Sequence, residues 1–233
     1  MNQTIQNALG EKLDYSFAPG IDAEKKSDWL VVLDPATALN AAGFDTLRFS
    51  FAGNGESEGD FRDATISKEV GDLAAVLDAV STKYSKIAYI GHSMGGAVGV
   101  IQASRDARIR ALVSLAGMVD TKAFAQTEFG DATPDEGLMW EEENCPLSSK
   151  YMHDLCQTID SVAPLAEIIE TPWLLLHGTA DDVVSPKDTE QVQRLKGDAI
   201  KVVLIEGADH SFNQPAHKAQ MTQEVVAWLA GHA

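Results

Sequence analysis

The 233-residue chain is 45% apolar, enough to fill the core of one α/β domain, and no stretch of it is long enough to span a bilayer. Lys plus Arg number 18 against 35 for Asp plus Glu, and the resulting net charge of −17 disfavours nucleic acid and anionic membranes as partners. Residues 1–10 lack the basic start and apolar run of a signal peptide, and the two cysteines, Cys145 and Cys156, lack zinc-ligand spacing, so reduced thiols and a cytoplasmic setting are expected.

Residues 13–18 alternate as an early strand does and stop at Pro19-Gly20. Residues 29–33 (Trp-Leu-Val-Val-Leu) are continuously apolar, the pattern of a strand buried on both faces. Asp34 suits a helix N-cap and Pro35 the first helical position, so 36–42 reads as a short helix ended by Gly43. One helix over 29–42 is a second reading, disfavoured because Pro35 in its interior would cost about 3 kcal/mol. A strand over 46–51 runs into a Gly-rich loop at 52–59. That loop lacks the Lys-Ser/Thr of a phosphate-binding loop and reads as a mobile connection.

Ile66, Val70, Leu73, Leu77 and Val80 share one face of an amphipathic helix over 66–80. A strand over 87–90, a helix over 94–104 and a strand over 110–115 follow. Residues 117–171 hold no clean strand, only short helical pieces near 121–127, 148–157 and 162–169. A stretch that long reads as a cap, placed at 118–171. Regularity returns with a strand over 173–176, a helix over 186–195, a strand over 200–205 and a last helix holding 221–229. Strands alternating with helices predict a mostly parallel central sheet with helices on both faces, in a single domain spanning 1–233.

The chemistry concentrates at Gly91-His92-Ser93-Met94-Gly95, between the strand at 87–90 and the following helix. There a serine stands on a strained turn with its hydroxyl lifted clear, and flanking glycines are expected where backbone and helix approach too closely for a Cβ. The Met94 N–H, at the helix start, is placed to meet a developing oxyanion. A serine hydroxyl is a weak nucleophile. It needs a base in hydrogen-bond reach, and the base needs an orienting carboxylate. The loop after Leu176 offers Asp181 and Asp182, with Asp181 preferred for its place just past the strand; an Asx-turn aspartate ahead of Pro186 is the structural alternative. The loop after Ile205 offers His210. Among the other histidines, His92 is expected to point away from the cleft and His177 to be structural. His153 falls in the cap, and His217 and His232 in the last helix or tail. The chain order is thus Ser93, Asp181, His210.

These motifs, with residues 49–57 (Phe-Ser-Phe-Ala-Gly-Asn-Gly-Glu-Ser), 177–184 (His-Gly-Thr-Ala-Asp-Asp-Val-Val) and 207–210 (Gly-Ala-Asp-His), resemble the α/β-hydrolase fold superfamily. Within it the chain looks similar to serine aminopeptidase S33-like and small esterase members, of the acylglycerol lipase and feruloyl esterase kinds. The resemblance implies a serine hydrolase of esters, of EC 3.1.1 type, working through an acyl-enzyme with Ser93 as nucleophile, His210 as base and Asp181 as its partner. It implies no metal or organic cofactor. One departure stands out: family members carry a His-Gly-rich loop after the strand matching 29–33, and here Asp34-Pro35 follows directly. Pro35 has no N–H to give, which leaves the Asp34 N–H as second oxyanion donor beside Met94. A missing donor typically costs about 2.7–4 kcal/mol.

The expected substrate is therefore a small-molecule ester or amide, bound against Met118, Met139 and Trp140 of the cap, with neither nucleic acid nor membrane insertion involved and a homodimer left open. Two alternatives remain. One is a non-catalytic binding protein, argued from the shortened segment after Leu33. The other is an aminopeptidase that holds a substrate amine with Glu141, Glu142 or Glu143.

Overall fold

The computed structural model describes residues 5–21, 28–32 and 36–232. Strands β1 (Ile5–Gln6) and β2 (Lys12–Leu13) form a small antiparallel pair. The central sheet contains β3 (Tyr15–Ala18), β4 (Trp29–Val32), β5 (Asp45–Phe49), β6 (Lys86–His92), β7 (Ile109–Leu115), β8 (Trp173–Gly178) and β9 (Lys201–Ile205). Their spatial order is β3-β5-β4-β6-β7-β8-β9; only β3 runs antiparallel to its neighbour. The protein has the α/β-hydrolase fold class expected from the sequence, with a mostly parallel sheet and helices on both faces.

All four residues of β4 are buried and pair with β5 on one side and β6 on the other. That excludes the single-helix reading of 29–42: side chains apolar on both faces satisfy a central strand, whereas a helix there would have to hide its whole circumference. Helix α1 (Ala36–Ala41) is short, and Asn40 holds it in place. Its buried amide donates to the carbonyls of Ala18 and Phe44 and to the Thr46 hydroxyl. Residues 33–35, which carry the Asp34 and Pro35 expectations, lie outside the described residues.

Helix α2 (Ile66–Val80) begins at Thr65, whose side chain accepts from the Lys68 N–H, and buries Ile66, Val70, Leu73, Leu77 and Val80. It packs with α3 (Met94–Ala103) on one face of the sheet, against Leu30, Val32, Ile87 and Tyr89. On the other face α1 and α8 (Pro215–Ala230) bury Leu39, Met221, Val225 and Leu229 against Val31, Ala88, Ile90 and Val113. The two-residue period of each strand supplies both layers at once. At about 1.5–3 kcal/mol per buried large apolar side chain, these layers dominate the stability.

The Gly-rich loop at 52–59 is a bonded turn rather than a loose one. Gly53 N–H donates to the Glu58 carbonyl, and Ser57 Oγ bridges the Ser50 carbonyl and the Asp14 N–H. The N–H groups of Gly53, Asn54, Ser57 and Glu58 are spent on backbone carbonyls, and that of Ala52 on the Asp72 carboxylate.

Between β7 and β8 lie α4 (Thr121–Phe129), α5 (Ser149–His153), a π-helical turn at Asp154–Ile159 and α6 (Ala163–Ala166). Two polar side chains, Asp154 and Asp188, fasten this segment to the body, and a third, Thr121, braces it from within. Asp154 accepts from the N–H and hydroxyl of Ser67 in the first turn of α2. Asp188, on α7 (Pro186–Lys196), accepts from the Val119 and Asp120 N–H groups. Thr121 donates to the Leu155 carbonyl.

Candidate active site

Ligand sites in open parallel sheets gather beyond the carboxyl ends of the strands, where strand order switches direction. Here the switch lies between β4 and β6. Ser93 stands at that point, directly after β6, with φ 54° and ψ −119°. This is a costly conformation for a residue with a Cβ, of order 1–3 kcal/mol, and such strain concentrates at functional sites. The turn is fixed from both sides. The Ser93 N–H donates to the Leu115 carbonyl, and its own carbonyl accepts from Gly96 and Met118. Met94 opens α3, and among the described residues its N–H meets no acceptor.

The glycines of the turn are not equivalent. A Cβ on Gly91 would lie 2.1 Å from the Gly95 carbonyl oxygen, and one on Gly96 would lie 2.6 Å from Gly117 Cα. A Cβ on Gly95 would meet nothing nearer than Tyr89 Oη at 3.5 Å, an ordinary contact. The close approach expected from the motif therefore holds for Gly91 and fails for Gly95, where Gly96 takes over the role.

The loops after β8 and β9 touch. A Cβ on Gly178 would strike the Ala208 carbonyl oxygen at 2.2 Å, so glycine alone lets them come this close. The contact brings His210 Nδ1 to 2.9 Å from Asp181 Oδ2 and 3.1 Å from Oδ1. Asp182 is exposed and makes no such contact. The Asp181 side chain is fully buried, and its Oδ1 also accepts from the Val183 and Val184 N–H groups. Burial alone would raise its pKa. The hydrogen bonds from His177 and His210, with the His210 charge and the Val184 N–H, outweigh burial and hold the carboxyl well below the usual range. Asp181 is thus a fixed anion, and His210 Nδ1, facing it, carries a proton. Among the described residues no hydrogen bond joins Ser93 Oγ to His210; such contacts often tighten only with substrate bound.

Residues 36–233 match the prolyl oligopeptidase family. The chain belongs to that family. It is an α/β-hydrolase, within the superfamily its motifs resemble. It is 28% identical over 230 residues to the mitochondrial palmitoyl-protein thioesterase ABHD10 of Bos taurus, covering 92% of this chain and 72% of the relative. Est1E from Butyrivibrio proteoclasticus, solved with ferulic acid bound, superposes with a TM-score of 0.84 at 24% identity, over 97% of both chains. Mouse α/β hydrolase domain-containing protein 10 superposes with a TM-score of 0.78 at 18% identity, over 99% of both.

In this α/β-hydrolase His92 does not point away from the cleft. Strand alternation sends it to the α8 face, where its Nε2 lies 2.9 Å from the His210 carbonyl oxygen and its ring 4.7 Å from the His210 ring. Burial lowers its pKa, against the pull of the His210 carbonyl, and keeps it neutral near pH 7. His177 is wholly buried beneath Asp181.

The expected cap residues sit apart from one another. Met118 is buried beside the elbow, the Gly91–Gly95 turn that carries Ser93, with its N–H on the Ser93 carbonyl. Met139 is buried within the 118–171 segment, its N–H on the Cys145 carbonyl. Trp140 is half-exposed, packs edge-on against Phe129 and donates to Glu128. A residue the sequence reading does not single out, Tyr151 of α5, points its hydroxyl at the Met94 sulfur and links the 118–171 segment to the turn that carries Ser93. The signal is faint: a tyrosine in a short helical piece with no periodicity to place it. No helix among the described residues is long and apolar enough to cross a membrane.

Proposed function

We propose that the protein is a serine hydrolase of carboxylic esters that works through an acyl-enzyme. The observation that carries this reading is the 2.9 Å contact between His210 Nδ1 and the buried Asp181 carboxylate, beside a serine held at φ 54°. Ser93 Oγ attacks the carbonyl carbon and passes its proton to His210 Nε2. Asp181 fixes the imidazole's orientation and stabilises its charged form. The Met94 N–H, without an acceptor among the described residues, receives the oxyanion; the second donor is assigned to the Asp34 N–H, outside them. The bond to the leaving group then breaks, and His210 gives the proton to it. Water, deprotonated by His210, attacks the acyl carbon; the bond to Ser93 Oγ breaks, His210 returns the proton to that oxygen, and the acid leaves.

Residues 118–171 act as a cap over this site, although Met118 and Met139 are buried and only Trp140 of the three expected substrate contacts has exposed surface. The Tyr151–Met94 contact supports that placement. Cys145 and Cys156, both free, suit a reducing compartment such as the cytoplasm. Thioesters are a second substrate class, favoured by the thioesterase name of the bovine relative and open to the same attack on carbonyl carbon. Glu141, Glu142 and Glu143 are all exposed, as a solvated charge run is, and lend the aminopeptidase reading no support.

Hydrolysis of p-nitrophenyl acyl esters tests the proposal. Wild type turns over and Ser93→Ala does not, while keeping the wild-type melting temperature. Equal rates in the two proteins overturn it.

A further inference from the structure

The Asp181 carboxylate faces two imidazoles. His210 approaches from the solvent side, and His177 from the core, its Nε2 3.1 Å from Asp181 Oδ2. The His177 side chain has no exposure. Its Nε2 also lies 2.9 Å from the Val184 carbonyl oxygen, the better directed of the two contacts, and its Nδ1 lies 2.8 Å from Thr189 Oγ1. Both neighbours of Nε2 are acceptors, so Nε2 carries a proton, shared between them, and Nδ1 accepts from the Thr189 hydroxyl.

The ring therefore grips the 181–184 turn at two places. It holds the Val184 carbonyl, while the N–H of the same residue donates to Asp181 Oδ1. It also places a positive N–H edge against Oδ2. Filling this buried position with a plain apolar side chain would suit a strand end in the core equally well. An imidazole there must have each polar atom satisfied, a demand met by Thr189 on α7 and Val184 in the loop just before it. The charged and titratable groups around the ring are Asp181 in the loop, Asp188 on α7, His92 at the end of β6 and His210 beyond the end of β9.

We infer that His177 is a positioning residue for the reaction, which fixes the rotamer of Asp181 and thereby the angle at which Asp181 holds His210. The inference rests on the Ser93–His210–Asp181 reading. It reaches further by assigning a role to a buried residue that touches neither substrate nor His210.

Three variants test it. His177→Leu removes both contacts and keeps the apolar bulk. His177→Gln restores an amide N–H near the position of Nε2. Thr189→Val leaves the ring but frees Nδ1. The expected result is a kcat on p-nitrophenyl esters lowered about 10–100-fold in His177→Leu with KM unchanged, the scale of one lost hydrogen bond to a charged group. A smaller loss is expected in Thr189→Val, and substantial recovery in His177→Gln. The downfield proton resonance of the His210–Asp181 hydrogen bond shifts or broadens in His177→Leu and returns in His177→Gln. A folded His177→Leu with wild-type kcat and an unmoved resonance overturns the inference. So does a His177→Gln as impaired as His177→Leu when both melt like wild type. If His177→Leu does not fold, Thr189→Val decides: unchanged kcat and resonance count against the role. Inactive wild type, or full activity in Ser93→Ala, would instead sink the triad reading beneath it.

Discussion

His210 Nδ1 lies 2.9 Å from Asp181 Oδ2, although the two residues come from different loops that meet only because Gly178 has no side chain. The neighbouring Asp182 is exposed. Asp181→Asn is expected to lower kcat by up to about 10⁴-fold, because an amide can hold the imidazole in the wrong tautomer. Asp182→Asn is expected to leave kcat within about twofold, as exposed substitutions usually do. Steady-state kinetics on one ester compares them directly.

Glu69 gives a pH signature in stability. It is buried on α2, and burial, followed by the charges of Asp72 and Asp154, raises its pKa from 4.5 to about 8. The folded state therefore binds a proton that the unfolded state has already released between these values. Stability falls as pH rises through that window, by about 1.4 kcal/mol per pH unit at most, and the full penalty is present above pH 8. Glu69→Gln removes the term. Denaturant unfolding at pH 5 and pH 9 should show the variant gaining on wild type at pH 9 only.

The elbow glycines separate by space. Gly91→Ala places a methyl 2.1 Å from the Gly95 carbonyl oxygen and should prevent the elbow from forming. Gly95→Ala meets only an ordinary contact, and a helical Ala gains roughly 0.5–1 kcal/mol over Gly. Thermal melting should find Gly95→Ala at or above wild type and Gly91→Ala well below it.

The 118–171 segment is anchored through Asp154, which satisfies the Ser67 N–H in the first turn of α2. Asp154→Ala leaves that donor without its partner and should cost about 1–3 kcal/mol. Limited proteolysis checks this: cleavage within 118–171 accelerates in the variant, while the sheet core stays protected.

The regular half of the molecule is legible in the sequence because period and punctuation agree there. Thr65 and the spacing from Ile66 to Val80 mark α2 at both ends. The all-apolar run at Trp29 marks a central strand against the competing helix. The loops that carry Ser93, Asp181 and His210 are legible for the same reason, each following a clear strand. Position beyond the strand ends is not. His92 follows Ala88 and Ile90 on the α8 face, yet only the return of the loop after β9 shows that His210 waits there. The contact of His177 with Asp181 depends on how tightly the turn at 181–184 closes. The 118–171 segment is built from pieces such as Ser149–His153 and Ala163–Ala166, too short to display a period, although it buries Phe124, Phe129, Leu147, Leu155 and Val162 in the core beside its polar anchors.

The most direct test of the central claim is labelling with a fluorophosphonate, followed by intact-mass measurement and peptide mapping. The account predicts one adduct per chain, located on Ser93, with labelling slowed in Asp181→Asn and absent in Ser93→Ala. Folded wild type that takes up no label, or takes it up at a residue other than Ser93, contradicts it.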